Sequence, residues 1–258
     1  MEDLDIAGTI QGEGILTGVP SLFIRLSGCN LKCIFQANGF VEPCDTPHTS
    51  WFPESIKYEV SDIVKIVRHN IGNMRHVVIT GGEPLLQMKP LIELCDILRH
   101  MLGLHVTIET NGTLYDSKLS MMVDLYSISP KLSNSNPTQE KINKLNDNKF
   151  SVKKQHDIRR YNIKALQSYI DIVDEYDGEI DIQFKFVVST ENDIKEIKEQ
   201  YINKLQRLDN STIMLMPVGM TTEHLKKSQQ LVISECIKNN WRFTNRLHIE
   251  LFGNKLGV

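Results

Sequence analysis

The 258-residue sequence is short of the features that mark several large protein classes. Neither charge is in surplus: 29 Lys and Arg stand against 32 Asp and Glu, a formal net charge of −3. That balance argues against a nucleic-acid binder. No apolar run is long enough to cross a bilayer, so no membrane association is expected. The opening MEDLDIAG is acidic and has no apolar stretch, so no secretory leader is expected and a cytoplasmic setting is. Cysteines number five, an odd count that does not suit a disulfide scaffold. No Pro-, Gly- or Ser-rich linker and no short repeat divides the chain, so one domain spanning 1–258 is expected. At 41% hydrophobic and 24% charged, the chain can bury a sizeable core.

What is present is an alternation of two periodicities. Runs rich in β-branched and aromatic residues predict strands over 21–26, 76–80, 105–109, 125–129, 181–188, 212–217 and 246–251. Between them, helical spacing covers 61–70, 87–102, 117–122, 160–175, 191–208 and 221–239. It is clearest where Ile194, Ile197, Tyr201, Leu205 and Leu208 share one face. Repeated strand–helix units imply an α/β fold with a largely parallel sheet, open or curled into a barrel. Functional groups of such folds gather at the carboxyl ends of the strands. SGCN, GGEP, TNG, SPK and PVG stand at five such ends here, which suggests one shared pocket. The segment 131–164 is locally basic, a solvated face, a lid or a partner contact.

Two cysteines, Cys95 and Cys236, lie on amphipathic helical stretches and are expected to be small buried hydrophobes. The other three form a C-x3-C-x10-C set: Cys29, Cys33 and Cys44. Soft thiolates suit zinc and iron–sulfur clusters alike. Three cysteines leave one position of a four-coordinate site without a protein ligand. His48 would fill it in a zinc site, whereas in a [4Fe–4S] cluster the vacancy frees one iron for a substrate or cosubstrate.

The cysteine set after the first predicted strand and GGEP after the second resemble the radical S-adenosylmethionine (radical SAM) enzymes. The chain further resembles, within them, the 7-carboxy-7-deazaguanine synthase family. That narrower likeness rests on TIQGEG (9–14), FIRLSGCNLKC (23–33), CDTPHTSW (44–51), TGGEPLLQ (80–87), ETNGT (109–113), SPKLSNSNP (129–137), QFKFVV (183–188), LMPVG (215–219) and RLHIELFGNKLGV (246–258), nearly the full length. The sequence departs from the family at two places. Ten residues, Ile34 to Pro43, separate the second and third cysteines where the family usually has two, and Leu256 stands where the family often has arginine.

The resemblance implies a partial (β/α)6-type barrel with an insertion at about 34–43. It also implies rearrangement of 6-carboxy-5,6,7,8-tetrahydropterin to 7-carboxy-7-deazaguanine with loss of ammonia, in deazapurine (queuosine and archaeosine) biosynthesis. No ordinary side chain supplies the radical required, so a cofactor carries that chemistry. By resemblance, Cys29, Cys33 and Cys44 hold a [4Fe–4S] cluster whose free iron binds S-adenosylmethionine, the source of a 5′-deoxyadenosyl radical. Gly82, the segment Ser129, Pro130 and Lys131, and the segment Met216, Pro217, Val218 and Gly219 are implied cosubstrate contacts. Ile10, Gln11, Gly12, Arg25, Thr80 and the carboxyl-terminal Val258 are implied substrate contacts, with Arg25 on the substrate carboxylate. Glu109 and Asn111 are further candidates for the pocket wall, and Glu83 for an inward hydrogen bond or helix-start support. Thr46 matches the family's magnesium ligand. A homodimer and an electron donor such as flavodoxin or ferredoxin are the implied partners.

Overall fold

Successive side chains of a strand face opposite ways, so a strand apolar at every second position has one committed face. The computed structural model describes residues 6–37, 39–54, 56–176 and 178–253. Its strands are β1 (Ile6–Ile10), β2 (Pro20–Leu26), β3 (Ile34–Ala37), β4 (Phe40–Pro43), β5 (His76–Gly81), β6 (His105–Thr110), β7 (Leu125–Ile128), β8 (Asp181–Val188), β9 (Ile213–Pro217) and β10 (Arg242–Phe243). Eight of them form one sheet in the order β1-β2-β5-β6-β7-β8-β9-β10, while β3 and β4 pair only with each other. β1 runs antiparallel to β2, and all other pairings in the large sheet are parallel.

Each parallel strand buries one apolar row against the surrounding helices. Ile24, Ile79, Ile108, Ile128, Phe186 and Leu215 lie in one continuous core with Val67, Leu94, Leu98, Leu166, Ile197 and Val232. The helices that supply the second set include Val60–Asn70, Met88–Asp96, Ile163–Glu175 and Thr222–Asn239. The opposite row carries Arg25, Thr80, Glu109, Ser127, Lys185 and Met216, and all six line one cavity. Six neighbouring strands cannot converge on one cavity from a flat sheet, so the sheet is curled into a partial barrel. Among the described residues no ladder joins β1 to β10. The loop after β1 spans that gap instead: Gly14 N–H donates to Thr244 Oγ1 (2.8 Å), Ile15 N–H to Gln183 Oε1 (2.8 Å), and Leu247 N–H to the Gly12 carbonyl (2.9 Å). The two glycines of QGEG are required by closeness. A Cβ on Gly12 would run into the His248 ring, and one on Gly14, which has φ +79°, into the Gln183 amide.

Six of the seven strands predicted from sequence are present. The exception is 246–251, which is part of a helix, Leu247–Phe252. Period two and a short helix read alike there. The sheet has already ended at β10, and no neighbour offers these residues a ladder. Their main chain turns on itself, with Gly253 N–H donating to the Ile249 carbonyl (2.9 Å). The helical expectation over 160–175 is met by Ile163–Glu175, with Asn162 accepting from Ala165 N–H at its start, and a separate short helix, Gln155–Arg159, precedes it.

The floor of the barrel is polar, and both ring nitrogens of His76 find partners there. His76 on β5 is 3% exposed, with Nδ1 against Ser21 Oγ on β2 and Nε2 2.7 Å from Thr107 Oγ1 on β6. Burial pushes its pKa from 6.5 down to about 4, as it does for the equally sequestered His156. The unfolded chain therefore binds more protons than the native one between these values. Stability, in full above the unfolded value, should fall as pH drops through this window, by at most about 1.4 kcal/mol per pH unit for each histidine. Urea unfolding between pH 7 and pH 4 measures this, and His76→Gln should flatten the slope.

Candidate active site

The site starts from the chain leaving β2. Cys29, Cys33 and Cys44 all line the barrel cavity. The residues between the second and third cysteines form the β3–β4 hairpin, with Ile34 opposite Pro43 and Ala37 opposite Phe40. A hairpin returns the chain to where it left. Cys44 N–H donates to the Cys33 carbonyl at 3.0 Å, the same closure that links residues i and i+3 of a β-turn. The ten residues Ile34 to Pro43 therefore stand where two central turn residues would, without separating the cysteines. Trp51 Nε1 donates to the same Cys33 carbonyl (3.0 Å), and Lys141 Nζ to the Ile34 carbonyl (2.8 Å). Ala37 packs with Val187, Met216 and Val218, and Phe40 stacks on His224 with centroids 3.8 Å apart.

The GGEP turn holds the cysteine loop from the other side. Gly82 N–H donates to the Leu26 carbonyl (2.9 Å), Glu83 N–H to the Gly28 carbonyl (2.8 Å), and Gly28 N–H to the Thr49 carbonyl (2.8 Å). A Cβ on Gly81 would strike the Leu26 carbonyl, and one on Gly82 the Gly28 carbonyl. The glycines thus serve main-chain packing within the protein, with Gly82 still on the cavity wall. Glu83 is fully buried and accepts three hydrogen bonds, from Leu85 N–H, Thr110 Oγ1 and Asn111 N–H. It ties the turn to the end of β6. Asn111 in turn donates to Asn30 Oδ1 (2.8 Å), between the first two cysteines.

Burial pushes the Cys29 thiol up to about 11 and raises Cys33 and Cys44 as well. As ligands they must give up those protons, so loading of a thiolate-bound group displaces them. The donors around them fit a buried anionic cluster: Leu31 N–H points at Cys29 Sγ (3.4 Å), and Lys131 is close enough to favour thiolates at Cys29 and Cys33. The zinc alternative finds no support. His48 is not on the cavity wall, and among the described residues no three Cys, His, Asp or Glu side chains converge on a single-ion site. A four-iron cluster takes each cysteine on a different iron and needs no such convergence.

Across the cavity is a charged wall. Lys185, 3% exposed, pairs with Glu13 Oε2 (2.8 Å) and lies 3.7 Å from Glu109 Oε1. Glu109 also accepts from Thr80 Oγ1 (2.8 Å) and Gln11 Nε2 (3.2 Å). Arg246 Nη1 contacts Asp45 Oδ2 (3.1 Å) and the Gly219 carbonyl (3.2 Å), with Nε 3.4 Å from Glu13 Oε1. Burial disfavours charge on Glu13, but Lys185, Arg246 and His248 outweigh it and hold the carboxyl well below the carboxylate range. Burial likewise opposes the Lys185 ammonium, and Glu13 and Glu109 keep it above its ordinary value. The wall is thus permanently zwitterionic near neutrality, a surface for a ligand with both donors and acceptors.

Most residues expected from the sequence meet here. Ile10, Gln11, Gly12, Arg25, Thr46, Thr80, Gly82, Glu109, Asn111, Ser129, Lys131 and Met216 line the cavity. Lys131 Nζ donates to Ser129 Oγ (2.7 Å). Pro130, Pro217, Val218 and Gly219 are not on the wall; Val218 packs behind Met216, and Gly219 anchors Arg246. Val258 and Leu256 lie outside the described residues. Glu13, Asp45, Lys185, Arg246 and His248 were not singled out from sequence, although each stands inside or beside a quoted motif.

Two outcomes test this geometry. Replacing residues 34–43 by Asn-Gly should leave iron and sulfide loading intact, measured by chemical analysis after anaerobic reconstitution, because the closing hydrogen bond is that of a turn. Glu83→Gln should cost about 1–3 kcal/mol in urea unfolding, because its amide N–H would face donors that now meet a carboxylate oxygen.

The radical SAM superfamily profile matches residues 23–187, from β2 into β8. The 7-carboxy-7-deazaguanine synthase of Halobacterium salinarum is 38% identical over 251 residues, covering 95% of this chain and 88% of its own. That of Rhodopirellula baltica is 36% identical over 248 residues, covering 96% and 85%. The crystal structure of QueE from Escherichia coli matches with a TM-score of 0.63 at 25% identity, covering 95% of this chain and 93% of that one. Streptococcus suis SuiB shares the fold, with a TM-score of 0.52 at 16% identity over 86% of this chain and 48% of its own. With the cysteine loop, the GGEP turn and the curled sheet in place, the chain belongs to the radical SAM superfamily and, within it, to the 7-carboxy-7-deazaguanine synthase family.

Proposed function

We propose that this chain converts 6-carboxy-5,6,7,8-tetrahydropterin to 7-carboxy-7-deazaguanine, with ring contraction and loss of ammonia. The observation that carries this is the facing of three cysteine thiols by a zwitterionic wall across one cavity. The product is the substrate less one ammonia, so the conversion is redox-neutral overall. A [4Fe–4S] cluster on Cys29, Cys33 and Cys44, with S-adenosylmethionine bound beside it, supplies the radical chemistry. The protein's part is to bind, orient and exclude water.

In this reading Arg25 takes the substrate carboxylate in a two-pronged contact. Gln11, Thr80 and Glu109, already hydrogen-bonded to one another, offer the pterin edge alternating donors and acceptors. Ile10 and Gly12 add main-chain contacts. Gly82, Ser129, Lys131 and Met216, the members of the expected set that reach the cavity, hold S-adenosylmethionine, with Lys131 kept in place by Ser129. Thr46, whose hydroxyl stands 3.5 Å from Cys44 Sγ, is the proposed magnesium ligand, one oxygen donor beside substrate oxygens. Cysteines free of disulfides suit a reducing, cytoplasmic compartment. We further propose a homodimer and a protein electron donor, with neither nucleic acid nor membrane as partner.

Anaerobic turnover with reconstituted cluster, S-adenosylmethionine, Mg²⁺, dithionite and the carboxylated tetrahydropterin should give 7-carboxy-7-deazaguanine by mass spectrometry. Cys44→Ala should abolish it. Arg25→Gln should raise KM roughly 10- to 100-fold with a smaller effect on kcat, the loss of a charge-assisted contact. Cleavage of S-adenosylmethionine without product would reassign the substrate.

A further inference from the structure

Most cations of the basic segment 131–164 face solvent, but Lys141 does not. It is 7% exposed, in the first turn of the helix Gln139–Leu145. That is a costly place for an ammonium. A cation in the first turn opposes the helix dipole. The layer beside it is apolar, with Ile142 and Leu145 of the same helix packed on Ile34, Trp51 and Phe150. Lys141 has no ion-pair partner among the described residues. The acids near enough to favour its charge are committed elsewhere. Asp193 accepts from Ser189 N–H, Ser189 Oγ and Thr190 N–H, and Glu140 pairs with Lys144 (2.6 Å). Burial lowers the pKa of Lys141 only to about 8, which leaves it charged at neutral pH. A buried cation without a carboxylate is destabilising unless another group offsets it.

Hydrogen bonds tie this lysine to the cysteine loop. Its Nζ donates to the Ile34 carbonyl (2.8 Å) and to the Asn134 carbonyl (2.5 Å). Ile34 directly follows Cys33, so covalent geometry alone keeps Nζ within about 9 Å of the Cys33 Cα. The carbonyl of Cys33 itself is taken by Cys44 N–H and Trp51 Nε1, both at 3.0 Å. Two successive carbonyls of the ligand loop are therefore held, the second by a full charge. Lys141 does not line the cavity, so it is not placed to hold substrate or cosubstrate. Burial leaves its charge little screened by salt.

We infer that Lys141 is the buried counter-charge of the cysteine loop: a positioning residue that holds the Ile34 carbonyl and, through its ammonium, favours the reduced form of a four-iron cluster on Cys29, Cys33 and Cys44. The inference rests on the cluster assignment proposed above. Reduction of such a cluster adds one electron and one negative charge, with no bond broken. Its potential responds to the net charge around it. At about 10 Å, in a medium of effective dielectric constant about 20, one unit charge changes a one-electron equilibrium roughly tenfold. The charge that is costly to bury among apolar residues is favourable beside thiolates.

The test is an anaerobic redox titration of the reconstituted protein without substrate. Dithionite is the reductant, and electron paramagnetic resonance reads the reduced cluster. Lys141→Gln keeps a hydrogen-bond donor and removes the charge. It should load iron and sulfide as the unmodified protein does. Its midpoint potential should move negative by a roughly tenfold change in the reduction equilibrium, about 59 mV for one electron. Lys141→Met, a second neutral variant that keeps the apolar stem, should move it the same way. Lys141→Arg keeps the charge and should return most of the shift. Lys144→Gln, in the same helix but exposed, should leave the midpoint in place. Unshifted midpoints in both neutral variants at full iron content would overturn the inference. So would an equal shift in Lys141→Arg, which would make side-chain shape and not charge responsible. Failure of the unmodified protein to load a four-iron cluster would overturn the cluster assignment, and this inference with it.

Discussion

The main-chain join between the ends of β2 and β5 is the constraint on which the rest of the site depends. Gly82 N–H and Glu83 N–H reach the Leu26 and Gly28 carbonyls, at a separation only glycine permits. The join extends the pairing of two parallel strands beyond their ends, so the cysteine loop leaves the sheet in one direction. Glu83 then links the join to β6 through Thr110 and Asn111, and Asn111 reaches back to Asn30. A carboxylate with three donors on it is costly to bury and hard to displace, which makes this corner rigid. A cluster-binding loop benefits from that rigidity, because its thiols must be presented together before the ligand arrives.

The opposite wall is organised by charge. Glu13, Lys185, Glu109, Arg246 and Asp45 form a chain in which the two buried cations, Lys185 and Arg246, each have acidic neighbours. Removing one member would strand its partner in a low-dielectric site, a larger penalty than the pair's net contribution to stability. Such a wall contributes orientation more than fold stability. It also explains why the loop after β1 crosses the barrel gap: Glu13 reaches its lysine only from there.

The insertion between Cys33 and Cys44 shows how a motif spacing can change while the geometry stays. In sequence, ten residues look like a broken motif. In space they are a two-stranded excursion whose base is one hydrogen bond across a turn. The hairpin is held by Ala37 against Val187 and Met216 and by Phe40 on His224, so it also walls the cavity beside β8 and β9.

Much of the site was legible in the sequence because strand–helix alternation sends the carboxyl end of every parallel strand to one side. SGCN, GGEP, TNG and SPK could therefore be assigned to one pocket from local spacing, whereas Arg25 and Thr80, just before those ends, were reached only through the family resemblance. The helix Leu247–Phe252 was not legible, because a six-residue apolar alternation satisfies either period and only the absence of a neighbouring strand selects the helix. Nor was the pairing of Glu13 with Lys185, 172 residues apart, or of Arg246 with Asp45. Sequence by itself determined which residues stand at the strand ends, since that follows from local periodicity. Only the tertiary structure decided which of them face each other, since that depends on how far the sheet curls and where the loop after β1 crosses the gap.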